Sequence, residues 1–213
     1  MPDNSKPTIA ITMGDPCGIG PEVVVKALAD PQVYASCRPL VVGNTFAMEQ
    51  AVKLTGLPLK IQETGDPSTA GADPGGVDVG DIHNLNPEDI TVGRISIACG
   101  KAAMEWVTKA GQLALAGAVD GLATAPLNKE AMNLAGYIYP GHTELLAERA
   151  GGHDVRLMLA SERMSVAHVT GHVALHEVAE LLTQKRVYDT IVMIHDALVK
   201  MGKTSPRLAV PGL

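Results

Sequence analysis

Strand-like and helix-like runs alternate along nearly all of the 213 residues, and this alternation restricts the fold more than any other feature. Residues 8–13 (TIAITM) read as a strand that ends in a Gly- and Pro-rich turn, and PEVVVKALAD follows as a helix with Pro21 at its first position. RPLVVG, at 38–43, reads as a second strand, followed by the helix TFAMEQAVKLTG with Gly56 as its C-terminal cap. Residues 64–94 are rich in Gly, Pro, Asp and Asn and read as irregular connection holding one edge strand around VDVGDI. Residues 95–117 have helical apolar spacing and end in Gly117. VDGLATAP is expected as a strand, LNKEAMNLAG as a short helix capped by Gly136, and HTELLAERAG as a helix start. VRLMLAS and MSVAHVT read as strands, HEVAELLTQKRVYDTIVMIHDALVKMG as one or two helices, and PRLAVPGL as a last strand. Strand and helix in such succession predict the α/β class, an α/β/α layered domain with a mostly parallel sheet. No fixed-period repeat interrupts the pattern.

Composition narrows the function classes. The net charge is −6 and aromatic residues make up 3%, so the basic tracks and stacking platforms of nucleic-acid binders are missing. No apolar window reaches the length of a membrane span, and MPDNSKPT lacks the apolar segment of a signal peptide. The cysteines Cys17, Cys37 and Cys99 are odd in number and form no CxxC, which reads as reduced thiols in a cytoplasmic protein.

Four segments carry chemistry. MGDPCGIGPE (Met13–Glu22) joins a strand to a helix start, where free N–H groups favour an anion; Gly14, Gly18 and Gly20 allow tight turns and close approach. It is neither GxGxxG nor a P-loop, and turn geometry alone also accounts for its glycines. TAPLNKE (Thr124–Glu130) places Lys129 after a strand, as a point charge for a carboxylate or phosphate or as a solvated helix lysine. YPGHTELLAERAG sets His142 and Thr143 at a helix start; Thr143 has an N-cap role open to it, whereas a cap does not require His142. His168, His172 and His176 are four apart, a metal-ligand spacing if they share a helix. MSVAHVT alternates and is β-branched, so His168 is expected within a strand, His172 at the strand's carboxyl end facing a cleft, and His176 and His195 on helix surfaces.

GDPCGIGPE, ATAPLNKEAMNLAG, YPGHTELLA and HVTGHVAL, in this order, resemble the PdxA family over about Thr8 to Leu213. The resemblance implies an isocitrate/isopropylmalate-dehydrogenase-like fold, with two α/β/α domains around a cleft. It implies a cytoplasmic homodimer that uses NAD or NADP and a divalent metal (zinc, magnesium or cobalt) held by three histidines. The family's substrate-binding His-Thr pair matches His142 and Thr143, and its first metal histidine matches His172. Gly171 stands where the family usually has Thr. Lys129 becomes a candidate for substrate contact or proton transfer, and Asp15, Gly18 and Gly20 a cleft wall.

The implied reaction oxidises the secondary hydroxyl of 4-hydroxy-L-threonine 4-phosphate, with decarboxylation after it, in pyridoxal 5′-phosphate biosynthesis. The D-threonate and D-erythronate 4-phosphate dehydrogenases of acid-sugar catabolism are the alternative, and a cis-dihydrodiol dicarboxylate is a third substrate class. The family's NPHAGE-type and YHDQG-type segments, which carry the other two metal histidines, would follow Leu213. The chain is therefore expected to be the N-terminal portion of a two-domain dehydrogenase, inactive alone; a non-catalytic remnant is the reading of another class.

Overall fold

A computed structural model describes residues 6–70, 73–139, 141–152 and 154–211. They form two compact units, residues 1–153 and 154–213.

Unit 1 is built on a five-stranded sheet in the order β3-β4-β2-β1-β5, with every neighbouring pair parallel. Its strands are β1 (Thr8–Thr12), β2 (Arg38–Gly43), β3 (Lys60–Glu63), β4 (Gly76–Asp81) and β5 (Gly121–Thr124). The helices are α1 (Gly20–Leu28), α2 (Pro31–Ser36), α3 (Thr45–Thr55), α4 (Ile97–Leu115), α5 (Lys129–Leu134) and α6 (His142–Arg149). Right-handed crossovers carry α1 and α3 to one face of the sheet and α4 to the other. The continuous apolar run of β2, buried from Pro39 onward, belongs to a strand covered on both faces. Ala10, Val25, Val41 and Trp106 lose all solvent contact between the layers. The Trp106 indole N–H donates to Asn84 Oδ1 at 3.0 Å, which satisfies its one polar group.

Local chemistry places the helix ends. Asn44, Ser96 and Asn128 accept the backbone N–H groups of Ala47, Cys99 and Ala131, capping α3, α4 and α5. Gly56 closes α3 at φ +66° with nothing near the position of a Cβ, as its C-terminal role requires.

Several expectations are corrected here. VDVGDI lies in β4, an interior strand between β3 and β2, because Val77 and Val79 are fully buried between them. The edge strand is β3 (KIQE), whose charged, exposed residues hide it from an apolar pattern. Helix α2 was not expected; Asp30 caps it by accepting the Gln32 N–H, with Pro31 at its start.

Unit 2 contains β6 (Met158–Ala160) and β7 (Ser165–Ala167), an antiparallel pair, followed by α7 (Leu175–Leu181) and α8 (Gln184–Lys200). Thr183 caps α8 and divides the long helical stretch in two. Thr190 is the one buried residue among those described in this unit, while Leu159, Leu175 and Met164 are exposed. The expected last strand does not form over 206–211: Pro206 and Pro211 have no N–H to give, and no described strand pairs with this stretch. Gly212 and Leu213 of that expectation lie outside the described residues.

Candidate functional site

The carboxyl ends of β1 and β5 meet in unit 1, the edge where parallel sheets present their functional loops. From β1 the chain enters the Gly14–Gly20 loop, which is welded to the segment after β5. The Asp15 N–H donates to Pro126 C=O at 2.9 Å, and Ala125 N–H donates to Thr12 C=O at 3.0 Å. Gly14 adopts φ +77°, and a Cβ there would lie 2.3 Å from Pro126 O; at Gly20 it would lie 2.4 Å from Met13 O. Packing demands both glycines, and at Gly14 the left-handed backbone does so as well. Gly18 is exposed beside the Asp15 carboxyl. Lys129, exposed, opens α5 three residues after Pro126, so the loop and this cation share one sheet edge.

His142 and Thr143 are the first two residues of α6, with Gly141 as the cap, so Thr143 is not the N-cap. They follow a helix rather than a strand. Leu145 of α6 is buried against Met104, Val107 and Met132, with Leu127 and Tyr137 packed on the same cluster. Helices α5 and α6 thus dock on α4 through one apolar patch, and Lys129 and His142 stand on elements with a common support. His142 is half-buried and its Nε2 has no hydrogen-bond partner among the described residues. Burial holds the imidazole below its ordinary pKa, partly offset by Glu144, so it is neutral at pH 7. Thr143 is exposed. Pro140 of this motif lies outside the described residues.

In unit 2, β7 stops at Ala167, and His172 lies beyond it in the loop leading to α7, not at the strand's end. The strand is short because only Leu157–Ala160 runs alongside it; His168, just outside β7, still donates its N–H to Leu157 C=O at 3.0 Å. His172 is exposed at φ +56°, a left-handed conformation uncommon outside glycine. The loop is braced by Arg186, whose Nε–H donates to Val169 C=O at 2.7 Å. His176 and His195 are on α7 and α8, as expected.

A three-histidine metal centre is not assembled by these residues. Among the described residues, the one group of three or more ligating side chains with converging atoms is Asp15, Cys17 and Cys99, and it contains no histidine. Sequence reasoning missed this group: Cys17 and Cys99 are 82 positions apart, and only the packing of α4's first turn on the β1 loop joins them. No described helix is long and apolar enough to cross a membrane.

Comparison with known proteins adds the following. The family described as "Pyridoxal phosphate biosynthetic protein PdxA" matches residues 35–213. A 4-hydroxythreonine-4-phosphate dehydrogenase of Geobacter metallireducens is 42% identical over 210 residues, covering 99% of this chain and 62% of that protein. A D-threonate 4-phosphate dehydrogenase of Cupriavidus necator is 41% identical over 207 residues, covering 97% of this chain and 62% of the relative. The crystal structure of a 4-hydroxythreonine-4-phosphate dehydrogenase from Burkholderia phymatum superposes with a TM-score of 0.86 at 41% identity, over 96% of this chain and 62% of that one. The chain thus spans about 62% of the length of the relatives it matches.

Proposed function

We propose, from the premise that the chain belongs to the PdxA family, that it is the substrate-holding part of an NAD(P)-dependent dehydrogenase acting on a phosphorylated four-carbon hydroxy acid. We take 4-hydroxy-L-threonine 4-phosphate as the substrate, with D-threonate or D-erythronate 4-phosphate as the second reading, since relatives of both kinds match at nearly equal identity. Oxidation of the secondary alcohol delivers a hydride to the nicotinamide, and the β-keto acid product then loses carbon dioxide.

The observation that carries the reading is His142. A neutral imidazole on the first residue of a helix, with a buried Nε2 left without a partner, is a hydrogen-bonding group kept for something else. Its neighbour Thr143 offers a hydroxyl, and the first N–H groups of α6 are unpaired within the helix, as an anionic group requires. Lys129 supplies a cation on the element that shares α6's support, suited to a phosphate or carboxylate. The Asp15–Gly20 loop, bonded to Pro126 through the Asp15 N–H and closely packed at Gly20, forms a wall at the sheet edge.

His172 enters as one metal ligand. The described residues do not supply two more beside it, so no step of the reaction is derived through the metal. The same proposal makes the whole protein a cytoplasmic homodimer and the 213-residue chain alone inactive.

Two measurements test this. Each of the three phosphorylated acids is titrated into the chain, with binding read by calorimetry; His142→Ala is expected to abolish it and Lys129→Ala to weaken it. NAD(P)+ reduction with added divalent metal is then assayed. No turnover is expected from the chain alone, and turnover is expected from a version extended to the relatives' full length. Binding indifferent to His142→Ala would overturn the site, and turnover by the 213 residues alone would overturn the division of the machinery.

A further inference from the structure

Asp15 and Cys17 lie in the loop that walls the proposed dehydrogenase site, and together with Cys99 they bring three acidic groups together inside unit 1. Their exposures are 5%, 2% and 0%, and one ligating atom from each lies within 4.8 Å of the others. The Cys17 thiol donates to Cys99 Sγ at 3.3 Å, and the Cys99 thiol donates to Asp89 C=O at 3.4 Å. The Asp15 carboxylate accepts only the Cys17 backbone N–H, at 2.9 Å, and no cationic side chain pairs with any of the three among the described residues. Buried acids without a cation are expensive in their charged forms. Burial accordingly raises the Asp15 pKa and pushes the Cys99 thiol up to about 12. What the cluster lacks is a positive charge.

We propose that Asp15, Cys17 and Cys99 form a binding site for a thiophilic divalent cation of the zinc class, built from two thiolates and one carboxylate. Such an ion takes both thiolate sulfur and carboxylate oxygen as donors. On binding, both thiol protons leave to water and Asp15 binds as the carboxylate; the ligands carry three negative charges against the ion's two positive ones. The thiols need not travel far. Two thiolates on a tetrahedral ion at about 2.3 Å stand roughly 3.8 Å apart, so the sulfurs must separate by roughly 0.5 Å. A disulfide would need them to close to about 2.05 Å, a larger movement in a packed interior. Cys99 sits in the first turn of α4, where the helix dipole favours a thiolate once the ion is present. Access is at hand, because Cys17 lines a pocket of about 550 Å³ with Pro16, Ile19, Phe46, Ile90 and Val92. A bound ion would pin the β1 loop to α4, adding a third attachment to the Gly93 N–H bond to Cys17 C=O at 2.8 Å and the contacts to Pro126. The cation site shares the β1 loop with the dehydrogenase reading but uses none of Lys129, His142, Thr143 and His172, so cadmium binding and substrate binding are tested through different residues.

The test uses reduced, metal-free protein titrated with Cd2+, read by the ultraviolet thiolate-to-cadmium charge-transfer band. One equivalent is expected to saturate the band. Cys17→Ala and Cys99→Ala should lose it, Asp15→Asn should weaken binding, and Cys37→Ala and His172→Ala should leave it unchanged. Binding should tighten as pH rises, because protons are released. A readout without substitutions guards against misfolded variants: Zn2+ or Cd2+ should slow alkylation of Cys17 and Cys99 but not of Cys37, followed by mass spectrometry. No band at one equivalent, a band dependent on Cys37, or a Cys17–Cys99 disulfide in air-oxidised protein whose reduced form takes up no cadmium would each overturn the proposal.

Discussion

Gly14→Ala puts the rigidity of the β1 loop to a quantitative test. The new methyl group would sit 2.3 Å from Pro126 O and 3.0 Å from Ala125 C, against main-chain atoms that have no rotamer to escape into. Relief must come from separating the ends of β1 and β5, which strains the Asp15 N–H bond to the same carbonyl. The left-handed backbone adds about 1–2 kcal/mol for any L side chain. Overpacking adds about 1–3 kcal/mol. A weakened hydrogen bond adds about 1 kcal/mol. The sum, roughly 3–6 kcal/mol, is a large part of the 5–15 kcal/mol that holds a typical domain together. Gly56→Ala is the control: it has φ +66° and nothing within 4 Å of the new Cβ, so it carries the backbone cost alone. Trp106, the sole tryptophan and fully buried in unit 1, reports urea unfolding of the sheet without interference from unit 2. With slopes of about 1–3 kcal/mol per molar urea, Gly14→Ala should shift the midpoint down by about 1 M more than Gly56→Ala does. Equal midpoints for the two variants would refute the close-packed junction.

Titration and capping supply two more tests. The Cys99 thiol is raised to about 12 from an ordinary 9.0, so between those values the unfolded chain loses a proton that the native state keeps. Stability should therefore fall as pH rises through that window, and Cys99→Ala should reduce the slope; identical slopes would count against the burial account. For His142 the sign is opposite: its lowered pKa means that the native state holds fewer protons below the ordinary 6.5, so this contribution is lost as pH drops through that value. NMR titration of the His142 ring checks it directly, by a midpoint below 6.5. Asn128→Ala removes the cap that accepts the Ala131 N–H at 3.0 Å and should cost about 1 kcal/mol in a thermal melt. A change of only a few tenths would mean that α5 is held by its packing on α4 alone.

The elements legible in the chain were those whose local chemistry and burial agree. β1 and β2 are apolar runs bounded by turn residues, and α3 carries its stop signal in Gly56. β3 was missed because an edge strand of charged residues has no periodicity to read, and β4 was misplaced because Gly and Asp interrupt it. The length of β7 depends on its partner β6, which a local pattern does not encode, so His172 fell outside the strand assigned to it. Lys129, His142 and Thr143 could be named from motif order, but their common support on α4 is a tertiary fact. The Asp15–Cys17–Cys99 group was least legible: two cysteines 82 residues apart acquire a meaning only when helix and loop are packed together.

The uneven burial of the two units sets a timetable for the molecule. A segment with one buried residue among those described has little to lose by opening, whereas the layered sheet of unit 1 must surrender its whole interior at once. Amide protons around β6, β7 and α7 should therefore exchange through frequent small fluctuations, and those of β1 and β2 only through rare global ones. The same difference governs proteolysis, which samples what is open at any instant: exposed Arg163, in the turn between β6 and β7, is cut from a state visited often. Trp106 meanwhile keeps its fluorescence, so the chain can lose the loop that bears His172 while the edge that bears Lys129 is still folded.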